Sequence, residues 1–518
     1  MLQCVYPNAT WGSELQAPES ARIRSWEREE AVRELVRGRL EVCGPVTADR
    51  LADWFGLDPG DIDAALLALE AEGFILRGRF QPGTKESEWC DRRLLARIHR
   101  LTIHRLRAEI QPVSVQDFLR FLLAWQKVDP DHRVEGPHGL DAVLEVLDGF
   151  EAPVSAWEPD LLTARMSDYD PEWLNRICLS GRAGWGRVSP PRNLKARPFA
   201  PLRSSPIGIF QRGNLLHWLR LAESPERCEL APESKSLLEL IRASGASFFA
   251  DLVQRSGLFP SQVEQALSEL AALGLVTADS FDGLRALLIP SAQRPTFGRE
   301  HAGSRRRRDL ASIEFAGRWS ILRPQSDAPP AGADARIRRR PDRPSAHDPL
   351  SRQREEQRRL AMEAYAKVLL RRYGIVFRRL LDREPFGVSW YELGRVFRSW
   401  EARGQIRGGH FVSGVSGEQF ALPEAIGLMR SIRKQAPRDR LVSVSGADPL
   451  NLAGIVTPGG RVASVGANRV LFRDGLPVAR LEAGEILSLA TGTGPIDSTI
   501  ERALRVGKMQ PALRPYYR

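Results

Sequence analysis

Cysteine and histidine are scarce in this sequence, and they form no recognisable metal motif. The five cysteines are widely separated and include no C-x-x-C pair, and the eight histidines never occur as H-x-x-x-H or H-E-x-x-H. These absences exclude the common zinc sites, so we expect no bound metal. An odd number of scattered cysteines is also typical of a reducing compartment, which predicts a cytoplasmic protein.

Long apolar runs are absent as well. No segment reaches membrane-spanning length, and the first twenty residues lack a basic stretch followed by an apolar one. We therefore expect a soluble protein that is not exported and has no membrane partner.

Signatures of catalysis are largely missing. No G-x-x-x-x-G-K-[ST] loop is present, since Gly507 and Lys508 are followed by Met509, and neither an acidic magnesium motif nor a G-x-S-x-G motif occurs. We expect no ATP hydrolysis by this chain alone, no cofactor of its own, and no assignable catalytic residue. Asp448 precedes a proline, a context that favours turn formation over catalysis.

Positive charge is abundant. The formal net charge is +11 and the pI is near 9.8, which predicts attraction to phosphates and makes nucleic acid the first candidate partner. Arginine greatly outnumbers lysine, and this bias equally fits a GC-rich genome. The 518 residues are too many for one ordinary core, so three or four domains are expected in an α+β multidomain protein.

An internal repeat indicates the fold of two domains. Residues 56–75 match residues 257–276 without a gap, and each copy follows two short amphipathic segments. Three helices, a glycine at 73 or 274 and an apolar strand start describe a winged helix, with the glycine in the left-handed conformation. The pattern predicts winged-helix units over 1–80 and 231–290.

A looser third copy lies towards the C-terminus. Val396, Phe397, Trp400, Ala402 and Gly404 occupy equivalent places, which predicts a winged-helix-like unit over 359–440. Its wing is expected to run from 410–412 to 419–420.

The remaining segments are assigned by composition. Residues 81–230 predict a separate α/β domain, and the arginine- and proline-rich segment 291–358 predicts a linker or insertion. Alternating Val, Ser, Gly and Leu with glycine turns predict a small, barrel-like β-unit over 441–518.

One helical stretch, 91–110, carries the clearest binding pattern. Its basic residues recur every three or four positions on one face, with Leu94, Ile98, Leu101 and Leu106 facing inward. A stripe uninterrupted by carboxylates favours phosphate contact, although a solvated face neutralised by Glu86, Glu88 and Asp91 is the alternative. The residues of this stripe are Arg93, Arg97, Arg100, His104 and Arg107.

The third helices of the repeats differ in charge. Those of the first two units expose Asp61, Asp63, Glu70, Glu72, Glu264 and Glu269, which would repel DNA and favour a scaffold or partner-binding role. The third unit is the better DNA reader because it carries arginines around Trp400. These arginines are Arg395, Arg398, Arg403 and Arg407.

Several stretches resemble the large helicase-related (Lhr) DNA repair helicases, in order along nearly the whole chain. They include Glu88 to Arg100, Gly149 to Pro153, Leu179 to Arg187, Gly317 to Ser320, Gly408 to Pro423, Ala447 to Leu452 and Asn468 to Gly475.

The resemblance implies that residues 81–230 form a DEAD/H-associated domain of the Lhr type, and that the protein functions in DNA repair. Family members unwind DNA and RNA:DNA hybrids 3′ to 5′ with two ATP-driven motor domains, which this sequence lacks. ATP and magnesium would therefore act only through a separate or missing motor chain. The resemblance also implies binding to single-stranded or forked DNA, with Trp125 as the candidate for the stacking tryptophan of the post-motor domain.

Two other functions stay open. The C-terminal array of the family also resembles winged-helix DNA glycosylases, although the Q-x-Q signature is missing and no acidic residue follows Glu501. Alternatively, the acidic winged helices form an assembly platform for other subunits or for a homo-oligomer.

Overall fold

A computed structural model describes most of the chain. The described residues are 1–9, 25–189, 201–222, 230–289, 313, 317–323, 349–489, 497–505 and 509–517. They form two compact units, residues 1–110 and 111–518, which are treated separately below. In the described part of the chain, no helix is both long and apolar enough to cross a bilayer.

Four three-stranded antiparallel sheets share one strand order. In each, the third strand in sequence lies between the first and the second, as the wing of a winged helix requires. Each sheet accompanies a helical segment whose last helix leads into the second strand. The predicted α+β class with tandem winged helices is confirmed, with four such units in place of three.

The first unit contains one winged helix followed by a long helix. Its strands are Val46–Thr47, Ile75–Gly78 and Glu88–Asp91. Its helices are Leu2–Val5, Arg28–Leu40, Ala48–Phe55, Pro59–Ala71 and Arg92–Ala108. The sequence predicted that this domain ends at residue 80, but its third strand, Glu88–Asp91, lies after that residue.

The second winged helix lies within the segment predicted as a separate α/β domain, 81–230. Its strands are Glu151–Pro153, Ala183–Gly186 and Pro206–Gln211. Its longer helices are Val115–Trp125, Gly136–Leu147, Pro171–Leu179 and Leu215–Leu221, and the six-residue π-helix is Trp157–Leu162. Short helical turns lie at Pro130–His132, Val154–Ala156, Thr163–Arg165, Leu202–Ser204 and Arg212–Asn214.

The third winged helix takes its last strand from the predicted linker. Its strands are Ser247–Phe248, Val276–Ala278 and Arg318–Ile321. Its helices are Pro232–Ser244, Phe249–Ser256, Pro260–Ala272 and Phe281–Leu288. The arginine runs 305–308 and 336–340 of the linker lie outside the described residues.

The fourth winged helix begins with a long helix. Its strands are Ile375–Phe377, Arg407–Gly409 and Gln419–Ala421. Its helices are Pro349–Tyr373, the 3₁₀ segment Arg378–Arg383, Trp390–Ala402 and Pro423–Lys434. The wing strand therefore ends at Gly409 and does not include 410–412 as predicted.

The C-terminal segment forms a four-stranded antiparallel meander. Its strands are Leu441–Ser445, Arg469–Arg473, Leu476–Glu482 and Glu485–Ser488, and the helices that follow are Ser498–Leu504 and Arg514–Tyr517. Among the described residues the first and last strands are not hydrogen-bonded to each other, so the sheet is open where a barrel-like unit was expected.

A glycine with positive φ follows the third helix of every winged-helix unit. Such a φ is strained for residues with a Cβ, so glycine stops the helix and turns the chain into the second strand. The four φ values are 72° at Gly73, 77° at Gly181, 72° at Gly274 and 73° at Gly404. The prediction for Gly73 and Gly274 is confirmed.

The second and third winged helices share one hydrophobic core. The indole of Trp185 donates to Ser280 O at 2.9 Å, and the Thr277 hydroxyl donates to Trp185 O at 2.6 Å. Tyr516 and Tyr517 from the C-terminal helix enter the same core, together with Leu513 just before that helix. These contacts join distant parts of residues 111–518 into one body.

Candidate nucleic-acid interface

The helix Arg92–Ala108, here called the trailing helix, presents the predicted basic stripe to solvent. Asp91 caps it by accepting a hydrogen bond from Leu94 N at 2.6 Å. None of its 17 residues is buried. Arg93, Arg97, Arg100 and His104 are exposed, and Arg107 is half-buried.

The charged side chains of the trailing helix are all of one sign, positive. The helix contains six arginines and no carboxylate, and Arg105 Nε pairs with Glu109, just beyond its end, at 3.5 Å. Within the described part of the chain, Arg93, Arg97 and Arg100 make no ion pair. Like charges three and four residues apart destabilise a helix, so an external polyanion would relieve this repulsion.

Two of the three carboxylates proposed to neutralise the stripe are buried and hydrogen-bonded to backbone N–H groups. Glu88 and Asp91 are buried. Glu88 Oε2 accepts hydrogen bonds from the backbone N–H groups of Phe80 and Gln81, at 2.6 and 2.9 Å. Only Glu86 of the three is exposed, so the phosphate-binding interpretation is favoured over the neutralised face.

The apolar side of the trailing helix is less buried than expected. Leu94, Ile98 and Leu106 are half-buried, whereas Leu101 is 60% exposed. The prediction that Leu101 faces inward is therefore wrong.

Trp125 occupies a packing position. Its indole N–H donates to Arg371 O at 2.7 Å, and its ring lies 5.5 Å from that of Phe121. A Cβ built on Gly374 would lie 3.1 Å from the ring. These contacts account for Trp125 as a structural residue, and its stacking role stays a prediction.

The fourth winged helix places its arginines on an exposed face. Arg395 and Arg398 lie on the helix Trp390–Ala402, Arg403 follows that helix, and Arg407 begins the wing. Arg398 pairs with Glu418 at 3.2 Å, and Arg403 Nε donates to Ser399 O at 3.2 Å. Tyr391, 69% exposed on the same helix, was missed because an isolated tyrosine gives no periodic signal.

A buried glutamine fixes the shape of this fourth wing. Gln419 Oε1 accepts hydrogen bonds from the backbone N–H groups of Phe411 and Val412, at 2.9 and 2.8 Å. Its Nε2 donates to Val412 O at 3.0 Å and Val415 O at 3.2 Å. The loop is preorganised, which explains why 411–412 turn inward and leave the strand.

Several acidic residues of the first and third winged helices serve their own folds. Asp61 pairs with Arg28 at 2.8 Å, and Glu72 pairs with Arg37. Glu269 accepts a hydrogen bond from the Ser234 hydroxyl at 2.5 Å, and both Glu264 and Glu269 are half-buried. The expectation of exposure is therefore wrong for Glu264 and Glu269, and also for Asp61 and Glu70, which are half-buried as well, whereas Asp63 and Glu72 are exposed as expected.

Asp448 is structural. Its two oxygens accept hydrogen bonds from Arg165, at 2.7 and 2.9 Å, and both side chains are almost completely buried. The Gln126 side-chain oxygen accepts a further bond from Arg165 at 2.7 Å. No sequence signal linked residues 165 and 448, because they are far apart in the chain.

A second buried arginine holds a carboxylate between two tyrosines. Arg285 donates to both oxygens of Glu158, at 2.9 and 2.7 Å, and the hydroxyls of Tyr169 and Tyr517 donate to the same carboxylate. Burial raises the pKa of both tyrosine hydroxyls well above their usual range. The cluster is therefore a neutralised structural site.

Two buried cysteines, Cys90 and Cys178, are poor candidates for a nucleophile. Burial raises the pKa of the Cys90 thiol to about 11 and that of Cys178 to about 12, which disfavours their reactive thiolates. In the described part of the chain, no group of three or more His, Cys, Asp or Glu side chains is placed to hold a metal ion.

A cleft lies where the helix Val115–Trp125 approaches the first strands of the C-terminal sheet. Arg440 spans it and donates to Asp129 at 2.5 Å and Asp131 at 2.7 Å. His132 Nδ1 lies 3.2 Å from Asp129. These charges are paired with one another, so the cleft shows no activated nucleophile.

Comparison with protein-family models gives three matches. A winged-helix domain model of the large helicase-related protein, its third, matches residues 113–196, and its fourth matches residues 353–441. The AlkZ-like DNA glycosylase model matches residues 2–92. The match at 113–196 coincides with the second winged helix and not with a separate α/β domain.

Two curated proteins are similar over most of the chain. An "Lhr helicase/ probable uracil glycosylase" of Mycolicibacterium smegmatis is 27% identical over 426 residues, covering 79% of this chain and 26% of that protein. An "Lhr helicase/uracil glycosylase" of Escherichia coli is 25% identical over 466 residues, covering 82% and 27%. The chain spans about a quarter of the length of these relatives.

Proposed function

From the premise that this chain is a C-terminal, winged-helix portion of the Lhr family, we propose that it binds nucleic acid, with single-stranded or forked DNA as its ligand. Phosphate groups provide the affinity, and the protein supplies arginine side chains that track them.

The trailing helix carries this proposal. Its six arginines face no carboxylate within the helix, and none of its residues is buried. On a helix, residues three and four positions apart lie about 5–6 Å from each other, which lets successive guanidinium groups follow a strand. The guanidinium fork also suits phosphate oxygens better than an ammonium group does.

The fourth winged helix supplies a second contact surface. Arg395 and Arg407 are exposed, and the wing beside them is held rigid by Gln419. A rigid, arginine-bearing helix and wing lose little entropy on binding, which favours affinity. Exposed Tyr391 adds an aromatic ring that can stack on a base.

Unwinding in the 3′-to-5′ direction would require ATP-driven motor domains outside this chain. The chain would then act as the strand-holding part of a larger helicase, with the motor as its partner. Binding to RNA:DNA hybrids, self-association and a cytoplasmic location stay predictions.

The test is fluorescence anisotropy with labelled single-stranded, duplex and forked DNA, at 50 and 200 mM salt. A variant carrying Arg93→Gln, Arg97→Gln and Arg100→Gln should lose about three phosphate contacts. For single strands, the negative slope of log affinity against log salt concentration would become less steep by about 2 units. The factor by which affinity drops between the two salt concentrations would then be about 20-fold smaller.

The matched control variant neutralises three exposed arginines elsewhere, Arg176, Arg502 and Arg505. It changes the net charge by the same amount and should leave the slope unaltered. Equal slopes for both variants would reject the trailing helix as the contact, and negligible binding by the unaltered chain would reject the function.

Base excision is a second candidate, supported by the AlkZ-like match over 2–92. The chain would then flip a base out of the strand and hydrolyse its glycosidic bond. Incubation with uracil- and alkyl-containing oligonucleotides tests this directly. Alkali-labile abasic sites would support excision, and their absence at enzyme excess would exclude it.

A further inference from the structure

In the first winged helix, charge is divided between its third helix and its wing. The third helix, Pro59–Ala71, contains no lysine or arginine, and Asp63 is exposed on it. The wing, residues 75–91, exposes Arg77, Arg79 and Lys85, against the exposed carboxylate of Glu86. A phosphate backbone would therefore be repelled by the helix and attracted by the wing.

The wing is preorganised from within. The buried Glu88 carboxylate fixes the turn at Phe80 and Gln81 through their backbone N–H groups. The Gln81 side chain donates to Pro45 O at 3.0 Å, which ties the wing tip to the winged-helix body. The basic side chains thus project from a defined backbone.

Two of the three cations have no competing partner. Within the described part of the chain, Arg79 and Lys85 form no ion pair. The Arg77 guanidinium lies 5.5 Å from the centroid of the Trp89 ring, a cation–π contact that orients it. Arg79 and Lys85 are therefore available to a ligand.

The wing continues directly into the trailing helix. The strand Glu88–Asp91 ends where the helix begins at Arg92, and Arg92 N donates to Phe74 O at 3.1 Å. Both basic elements are thereby anchored to the same small sheet.

We infer that the first winged helix binds a nucleic-acid backbone through its wing and the trailing helix, and that its third helix makes no contact with the nucleic acid. Arg77, Arg79 and Lys85 are the phosphate-contacting residues of the wing. This inference rests on the proposed function and deepens it. Binding by this unit is independent of base sequence, since its contacts are to phosphates.

The first experiment compares Arg79→Gln with Lys85→Gln, made together, against Arg502→Gln with Arg505→Gln, in the full chain bound to single-stranded DNA. Losing two phosphate contacts should make the negative slope of log affinity against log salt concentration less steep by about 1.4 units. The factor by which affinity drops between 50 and 200 mM salt should then be about sevenfold smaller. The control pair removes equal charge and should leave the slope unchanged.

The second experiment locates the DNA by photocrosslinking. A benzophenone amino acid replaces either Lys85 on the wing or Asp63 on the third helix, and labelled DNA is irradiated with the purified chain. We expect crosslinks from position 85 and none above background from position 63.

The outcomes separate the two proposals. If the unaltered chain binds DNA but the wing variant matches its control, or if crosslinks form at position 63 instead of 85, the inference is overturned while the proposed function stands. If the unaltered chain binds no DNA, both are overturned.

Discussion

Arginine occurs in two opposite surroundings in this protein. On the trailing helix of the first unit, Arg93, Arg97 and Arg100 are exposed and lie beside other cations. In the second unit, Arg165 and Arg285 are buried, and each binds both oxygens of a buried carboxylate.

This difference shows that the net charge of a protein does not give the number of side chains that can bind a charged ligand. Buried arginines hold the fold together, and their charge is cancelled within a few ångströms, so they contribute little to the field that a ligand meets. Arg93, Arg97 and Arg100 are exposed and form no ion pair within the described part of the chain, so their charge adds to that field. Substitutions in the two settings should therefore change different properties.

The largest expected effect is on Arg285. Arg285→Met leaves the buried Glu158 carboxylate with only hydroxyl donors and should lower the free energy of unfolding of the second unit by about 3–5 kcal/mol. Urea denaturation followed by tryptophan fluorescence measures the loss. Arg176→Met, which breaks an exposed pair with Glu172, should cost about 0–1 kcal/mol.

A double variant sharpens this result. Arg285→Met combined with Glu158→Leu removes the stranded charge and should recover part of the lost stability, because an unpaired buried charge costs more than an absent pair. Losses that simply add would contradict the account of this cluster as a coupled ion pair.

A smaller effect is expected from Asp160, which pairs with Arg469. Burial raises the pKa of Asp160 to about 6, so between about pH 4 and pH 6 the folded state binds the proton more tightly than the unfolded state. This contribution to stability is present below that window and is lost as the pH rises through it. Within the window, the free energy of unfolding falls by up to about 1.4 kcal/mol for each pH unit because of this group.

Asp160→Asn tests this dependence. Unfolding free energies of both proteins between pH 4 and pH 7 should differ in slope within the window and run parallel above it. Parallel curves throughout would show that Asp160 keeps an ordinary pKa in the folded protein.

The smallest effect is a gain of stability on the trailing helix. Arg97→Gln removes the repulsion between Arg97 and its neighbours Arg93 and Arg100. It should stabilise the helix by about 0.2–0.5 kcal/mol for each of these two pairs. Hydrogen exchange of the helix amides measures it. Arg105→Gln has no arginine three or four positions away and loses its pair with Glu109, so it should give no gain. Equal gains from both would contradict the repulsion account.

The winged helices with a strong local signal were predictable from the sequence. Helix periodicity and a helix-ending glycine are local properties, which is why the units around Gly73 and Gly274 were found. The basic face of the trailing helix follows from spacing alone.

The second winged helix was missed because its signals are not local. Its strand Glu151–Pro153 is short and pairs with Pro206–Gln211, more than fifty residues away, and a π-helix interrupts the expected helical periodicity between them. The strand Arg318–Ile321 was likewise hidden in a segment whose composition resembles a linker.

The pairing of buried charges was also beyond sequence reasoning. Asp448 was interpreted as a turn residue, and Leu450 N does donate to its carboxylate at 2.9 Å. The choice of Arg165 as its partner depends on how the C-terminal segment packs against the second winged helix. Periodicity contains no information about such contacts.

The hydrogen bond from Tyr517 to Glu158 spans 359 residues of sequence. During synthesis, the core around Glu158 cannot be completed until residue 517 has left the ribosome. The first unit, residues 1–110, is compact by itself and can fold while later residues are still being translated. Until then, the first unit can be folded while the core around Glu158 still lacks Tyr517.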